Sequence, residues 1–298
     1  MNRLLEISVR TLLIIFLILS VSFDVKAQDK EAISNLEMGY INIDNDKIFY
    51  ESSGKGSVIV FIHDGLVHRE IWDSQFSYFS KEYKVVRYDR RGYGNSSAGT
   101  VEYTDIEDLN SLLNHLKIDN ACLIAMSSGG RLAINFTLKY PEKVTSLILV
   151  GAVVGGFSYT EHFYSRGGHL ASGLSRSEIQ EYYVNDDPYE LYKENVYAKE
   201  KVLHLVKTNP RRGHGSRSNV PPSKPAFKRL NEIAVPSLIL VGEFDIPDVH
   251  AHAGVINAGI LNSKRDIINK SGHLIPIEQP ELFNNKVKEF FNKLYEKK

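Results

Sequence analysis

The sequence predicts an α/β protein: a mostly parallel sheet flanked by helices, interrupted by one inserted, mainly helical segment. Three observations carry this. Short apolar runs alternate with helix-like stretches from Gly39 onward, a pattern that favours parallel strands joined by helical crossovers. Val58–Ile62 is apolar at every position, as a strand covered on both faces should be. The alternation then lapses between Gly155 and Ala234 and resumes at Pro236.

Taken in order, residues 40–43 and 47–50 are strand-like and are separated by Asp44, Asn45 and Asp46, a hairpin signal. Val58–Ile62, 85–88, Ala121–Met126, 146–150, 237–241 and 265–268 are further short strand candidates. Residues 103–116 place Ile106, Leu109, Leu112, Leu113 and Leu116 at helical spacing, and Thr104 is a suitable opening residue. A second helix covers 131–139 and ends at Pro141. A last one covers 281–295 and presents Phe283, Val287, Phe290, Phe291 and Leu294 on one face. Inside the interruption, 176–184 and 188–207 have a helical pattern, and 209–225 is rich in Gly, Pro, Ser and basic residues. The predicted organisation is therefore a core of residues 28–154 and 235–298 with a cap or lid inserted at 155–234.

Residues 1–27 stand apart as a signal peptide. Arg3 and Arg10 give a basic start, residues 11–23 are apolar, and Val25, Lys26 and Ala27 form a cleavage site. The apolar run of 13 residues is short against the ~20 needed to span a bilayer, and an uncleaved anchor is the alternative. Cleavage after Ala27 starts the mature chain at Gln28 and places it in the periplasm or outside the cell. Of 36 basic and 36 acidic residues, the leader removes Arg3, Arg10, Lys26, Glu6 and Asp24, leaving a net charge of −1. Near-neutral charge gives no electrostatic case for nucleic acid. The one cysteine, Cys122, has no partner for an intrachain disulfide and lies in an apolar run, so it reads as a buried core side chain, with a reactive thiol as the alternative.

The chemistry starts at Ala121–Met126 followed by Ser127, Ser128, Gly129 and Gly130, a strand turning sharply into a helix. A serine held in such a turn needs small residues two before and two after it. Ser127 has Ala125 and Gly129 there, whereas the rival Ser128 has the bulky Met126 and Gly130. The turn resembles the nucleophile elbow of the α/β-hydrolase fold, G-x-S-x-G, with Ala125 in place of the first glycine. Other segments resemble the same family. His63, Asp64 and Gly65 follow the third strand as its His-Gly turn does, with Asp64 where glycine is usual. Residues 88–96, with Asp89, Arg91, Gly92, Gly94 and Ser96, match its D-x-R-G-x-G-x-S loop, to which a structural role is assigned. Gly242 and Asp245 match G-x-x-D, and Gly272, His273, Glu278 and Pro280 match G-H-x-x-x-x-E-x-P.

The resemblance implies a triad of Ser127, Asp245 and His273, in the chain order of this fold. It also implies an oxyanion hole from the backbone N–H groups of Gly65 and Ser128, with Leu66 as the alternative donor to Gly65. The implied activity is hydrolysis of a small carboxylic ester or lactone through an acyl-enzyme, with a small molecule as partner and no metal or organic cofactor required. Carbon–carbon bond hydrolases, aminopeptidases and haloperoxidases share the triad. A non-catalytic protein that binds a small ligand is the rival from another class. Asp248 competes with Asp245 as the orienting carboxylate. His63 reads as a turn residue, and His68 and His115 as surface or helix positions. His250 and His252 have the alternate spacing of a metal pair on a strand, although no third ligand suggests itself. Phe157, Tyr159, Phe163, Tyr164, Tyr182 and Tyr183 either line a pocket or pack the cap. Arg211, Arg212, His214 and Arg217 either meet an anionic substrate or are solvated. Oligomeric state is not legible.

Overall fold

The computed structural model describes residues 35–99, 102–166, 174–208 and 222–296. The predicted leader and Arg211, Arg212, His214 and Arg217 lie outside the described residues.

Eight strands form one sheet: β1 (Glu37–Ile43), β2 (Asp46–Ser53), β3 (Val58–Ile62), β4 (Lys84–Tyr88), β5 (Ala121–Met126), β6 (Val144–Val150), β7 (Ser237–Gly242) and β8 (Ser263–Ile268). The helices are α1 (Asp73–Phe79), α2 (Asp105–His115), α3 (Ser128–Lys139), α4 (Glu161–Ser165), α5 (Arg176–Asn185), α6 (Val196–Thr208), α7 (Pro247–Gly259), α8 (Ile275–Glu278) and α9 (Pro280–Tyr295). Strand order is β1-β2-β4-β3-β5-β6-β7-β8. The β1–β2 and β2–β4 pairs are antiparallel, and every later pair is parallel. The chain is thus a mostly parallel sheet preceded by an antiparallel hairpin, as its sequence predicts.

Alternating side chains of the central strands enter two separate cores. Val60 and Ile62 of β3 pack on one face with Leu109, Leu113 and Phe136. Ile59 and Phe61 pack on the other with Trp72, Phe283 and Phe291. The Trp72 ring stands 5.2 Å from Phe61 and 6.0 Å from Phe283, and burying aromatic area of this kind dominates core energetics. Thr104 caps α2 as expected, its hydroxyl accepting from the Glu107 N–H at 3.1 Å. Cys122 is buried and unpaired, and burial pushes its thiol up to about 12.

Several sequence expectations need correction. The helix expected over 131–139 begins at Ser128, because the elbow leads directly into it. Helix α6 begins only at Val196: the Asp187 carboxylate accepts from the Tyr189 and Glu190 N–H groups and holds that stretch in a turn. His250 and His252 lie on helix α7, not on a strand. Two residues apart on a helix, they point to different faces. His68 is fully buried, whereas His115 is exposed on α2 as expected.

Strands β3 and β5 are neighbours, with Ile62 opposite Ala125. The turns that follow them, at His63 and Ser127, therefore leave the sheet at the same edge. The ends of β6 and β7 lie beside them, Val150 opposite Leu240. Ligands in open α/β sheets bind outside such carboxyl ends.

Candidate active site

Ser127 sits between β5 and α3 with φ 52° and ψ −118°, a conformation that non-glycine residues hold only where the surroundings enforce it. The enforcing contacts are visible. Its N–H donates to Val150 O at 2.9 Å, and its carbonyl accepts from the Arg131 N–H at 3.2 Å. A side chain at Gly129 would overlap the His63 carbonyl, so glycine lets α3 approach the turn after β3. Ala125 is fully buried. The smallness that selects Ser127 over Ser128 in the sequence is a packing requirement.

His273 and Asp245 meet across two loops. His273 Nδ1 lies 2.8 Å from Asp245 Oδ2, and Asp245 Oδ1 accepts from the Ile246 N–H at 2.8 Å. The His273 N–H donates to the carbonyls of Tyr189 and Glu190, each at 3.0 Å. Glu278 braces the same loop by accepting from the Ser271 hydroxyl at 3.0 Å and the Gly272 N–H at 2.9 Å. Gly151, with φ 51°, backs the pair. A Cβ there would come within 3.0 Å of His273 Nδ1 and 3.2 Å of Asp245 Oδ2. The rival Asp248 faces away, accepting from the Thr160 N–H at 2.6 Å and hydroxyl at 2.9 Å.

Ser127 and His273 line one cavity of about 260 Å³, together with Gly65, Arg131, Tyr159 and Glu190. They do not touch at hydrogen-bond length, a spacing common before substrate binds. At Gly65 the geometry separates the two donor candidates. The Leu66 N–H is taken by Asp64 Oδ2 at 2.8 Å, and the Val67 N–H by Asp64 Oδ1 at 3.2 Å. Asp64 thus caps its own turn and occupies the Leu66 N–H, while Gly65 and Ser128 line the same cavity. Behind them lies Arg90. Its Nη1 donates to Ser128 Oγ at 2.9 Å and to the His63 and Asp64 carbonyls at 3.4 Å, while its Nη2 donates to Asp105 at 2.8 Å. His63 is a turn residue, its Nε2 accepting from the Arg90 N–H at 3.0 Å. The loop at 88–96 does more than shape the backbone: through Arg90 it ties together the two turns that carry Gly65 and Ser128. Asp89 holds the rest, accepting from Arg69 and the Asn95 N–H.

The aromatic residues divide between the two roles considered. Tyr159, Phe163 and Tyr183 line the cavity, with Tyr159 and Phe163 stacked at 4.0 Å. Phe157 packs against Phe227 and His252, and Tyr164 is exposed. His252 Nδ1 accepts from the Val154 N–H at 3.0 Å. Burial lowers that imidazole to about 4, which keeps it a neutral acceptor. Among the described residues no cluster of three or more His, Cys, Asp or Glu side chains is placed to hold a metal.

Three residues facing or backing the site carry no sequence motif. Arg90 occupies the variable position of its loop, Arg131 follows Ser127 by one helical turn, and Glu190 comes from the segment between β6 and β7. Glu190 is buried, forms an ion pair with Arg166 at 3.3 Å and is raised by burial to about 7. Burial would lower the His273 pKa, but the Asp245 carboxylate, with Glu190 and Asp64 further off, outweighs it and lifts the imidazole to about 9. A protonated imidazole cannot take the serine proton. Activity should therefore be low in acid, rise as His273 loses its proton, and plateau in base. A profile of kcat/KM against pH should place this limb above the 6.5 of an ordinary histidine, as a value of the coupled Glu190–His273 pair. Glu190→Gln should move the limb to lower pH. A wild-type limb at or below 6.5 would contradict this reading.

A family model described as α/β hydrolase fold matches residues 57–280. The chain belongs to that family. The putative 2-succinyl-6-hydroxy-2,4-cyclohexadiene-1-carboxylate synthase of Bacillus subtilis (strain 168) is 25% identical over 278 residues, spanning 86% of this chain and 100% of its own length. An uncharacterized carboxylesterase of the same organism, nap, is 26% identical over 242 residues, covering 78% of this chain and 79% of its own. Among solved structures, a malate-bound thermophilic esterase from Thermogutta terrifontis has a TM-score of 0.69 at 23% identity, covering 86% of this chain and 98% of its own. That likeness shows the fold.

Proposed function

We propose that this chain is a serine hydrolase that cleaves a small carboxylic ester or lactone through an acyl-enzyme intermediate. The observation that carries the reading is one cavity edge holding a strained Ser127, the His273–Asp245 pair at 2.8 Å and the N–H groups of Gly65 and Ser128. In the first half-reaction Ser127 Oγ attacks the ester carbonyl while its proton passes to His273 Nε2. Asp245 holds the Nδ1–H tautomer and stabilises the imidazolium. The oxyanion accepts from the Gly65 and Ser128 N–H groups, each such donor contributing roughly 3–4 kcal/mol. The alcohol leaves with the proton from His273. A water then gives its proton to the freed imidazole as its oxygen attacks the acyl carbon, and the Ser127–acyl bond breaks as Oγ takes that proton back from His273, releasing the acid. The similarity to a named carboxylesterase supports an ester as substrate. The cavity of about 260 Å³ favours a small acyl group.

The segment 155–234 is proposed to act as the lid that sets specificity, since Tyr159, Phe163 and Tyr183 bring its aromatic rings to the cavity. Export is proposed from the basic start, apolar run and cleavage site at residues 1–27. One experiment addresses both activity and export. Protein recovered from outside the cytoplasm is treated with a fluorophosphonate probe, then analysed by intact mass and peptide mapping. The expected result is a single adduct on Ser127 in a chain that begins at Gln28. Folded protein with no adduct would reject the hydrolase, and a chain beginning at Met1 would reject cleavage. Turnover of p-nitrophenyl esters of graded length then ranks the acyl groups.

A further inference from the structure

The cavity wall holds a charge that the hydrolytic machinery does not use. Two arginines line the cavity, Arg131 and Arg166, and they differ in their surroundings. Arg166 is neutralised by Asp187 and Glu190, each at 3.3 Å. Arg131 forms no ion pair and its guanidinium donates no hydrogen bond among the described residues. Its stem runs past Gly155, where an added Cβ would lie 3.8 Å from Arg131 Cδ, and its head is exposed at the cavity. The buried or half-buried arginines Arg69, Arg87, Arg90 and Arg91 are each matched: Arg69 and Arg87 with Glu51, Arg90 with Asp105, and Arg91 with Asp46 and Asp108.

We infer that Arg131 is the anion-binding group of the acyl pocket, and that the substrate class is an ester of a short dicarboxylic acid, its free carboxylate held by the Arg131 guanidinium. The inference rests on the serine-hydrolase reading and deepens it. The Arg131 N–H bonds the Ser127 carbonyl at 3.2 Å, so Arg131 stands in the first turn of the helix that Ser127 caps, and both residues line the same cavity. A carboxylate held there is separated from the scissile carbonyl by a few methylenes. Those methylenes would run along a lining that includes the apolar side chains of Val153, Ile246, Val249, Tyr159 and Phe163.

The acidic groups at the cavity do not oppose this. Asp64 is engaged by the Leu66 and Val67 N–H groups. Glu190 is paired with Arg166 at 3.3 Å, which offsets its charge. His273, which faces Glu190 and Asp245, adds no negative charge. An incoming carboxylate therefore meets one unmatched cation. A guanidinium suits it, because its fork of donors binds both carboxylate oxygens.

The test compares kcat/KM for mono-4-nitrophenyl glutarate with that for neutral 4-nitrophenyl hexanoate, in wild type, Arg131→Met and Arg131→Glu. The ratio between the substrates cancels any general loss of activity. It is expected to fall by at least about tenfold in Arg131→Met and further in Arg131→Glu, with the change mostly in KM. An unchanged ratio would overturn the subsite while the turnover itself leaves the hydrolase standing. Should neither ester be turned over, calorimetric titration with glutarate decides the question independently. Binding that is weakened in Arg131→Met supports the subsite, and equal or absent binding in both proteins overturns it.

Discussion

Replacing Ser127 with alanine is expected to lower the kcat for p-nitrophenyl acetate by roughly six orders of magnitude, the loss seen when a triad nucleophile is removed. What remains should be the weak catalysis that binding and oxyanion stabilisation give alone, about 10³–10⁴ over water. The substitution is a clean probe because alanine keeps the Cβ that the φ of 52° already accommodates. It removes only Oγ, which anchors nothing in the fold among the described residues. Thermal unfolding should therefore stay close to that of wild type. Ser128→Ala is the informative partner. It keeps the Ser128 N–H but breaks the 2.9 Å bond from Arg90 Nη1, so kcat should fall by a much smaller factor. If Ser128→Ala were the inactive variant and Ser127→Ala the active one, the nucleophile would be Ser128.

The parts of this site that local rules govern are legible in the amino-acid sequence itself. Val58–Ile62 and Ala121–Met126 are strands with those boundaries, because central parallel strands are covered on both faces and must be apolar throughout. Ser127 is legible because the elbow constrains its neighbours within two residues. Arg90 is not, since its partners His63, Asp64 and Ser128 lie 26 to 38 positions away and only the strand order brings them together. The same holds for Glu190, which reaches His273 only because the stretch after α5 folds back against the loop that follows β8, where the His273 N–H donates to the Tyr189 and Glu190 carbonyls. Helix α7 escapes a sequence reading although it carries a start signal: Pro247 stands at its first position, followed by Asp248. Two alternating histidines give a period-two pattern that hides it. Arg131 shows a further limit. Its position is plain, but whether an arginine is free or paired depends on tertiary neighbours.

Asp245→Asn is the second large effect, and it discriminates between two carboxylates only three residues apart. Asp245 accepts at 2.8 Å from His273 Nδ1 on one oxygen and from the Ile246 N–H on the other. Asparagine can keep the Ile246 bond with its carbonyl oxygen, which turns its NH₂ group toward Nδ1. The imidazole then carries its proton on Nε2, where it cannot receive one from Ser127. A fall in kcat of about 10⁴ is expected, as when the orienting carboxylate of a serine triad is neutralised. Removing that charge also removes the main influence raising His273. Burial then dominates, so any residual activity should have its limb at lower pH than wild type. Asp248→Asn should instead keep activity, because Asp248 bonds only the Thr160 N–H and hydroxyl. Its cost should appear in stability, at about 1 kcal/mol for one weakened cap. Steady-state kinetics of the two variants side by side decide the assignment: a larger kcat loss in Asp248→Asn than in Asp245→Asn would transfer the orienting role to Asp248.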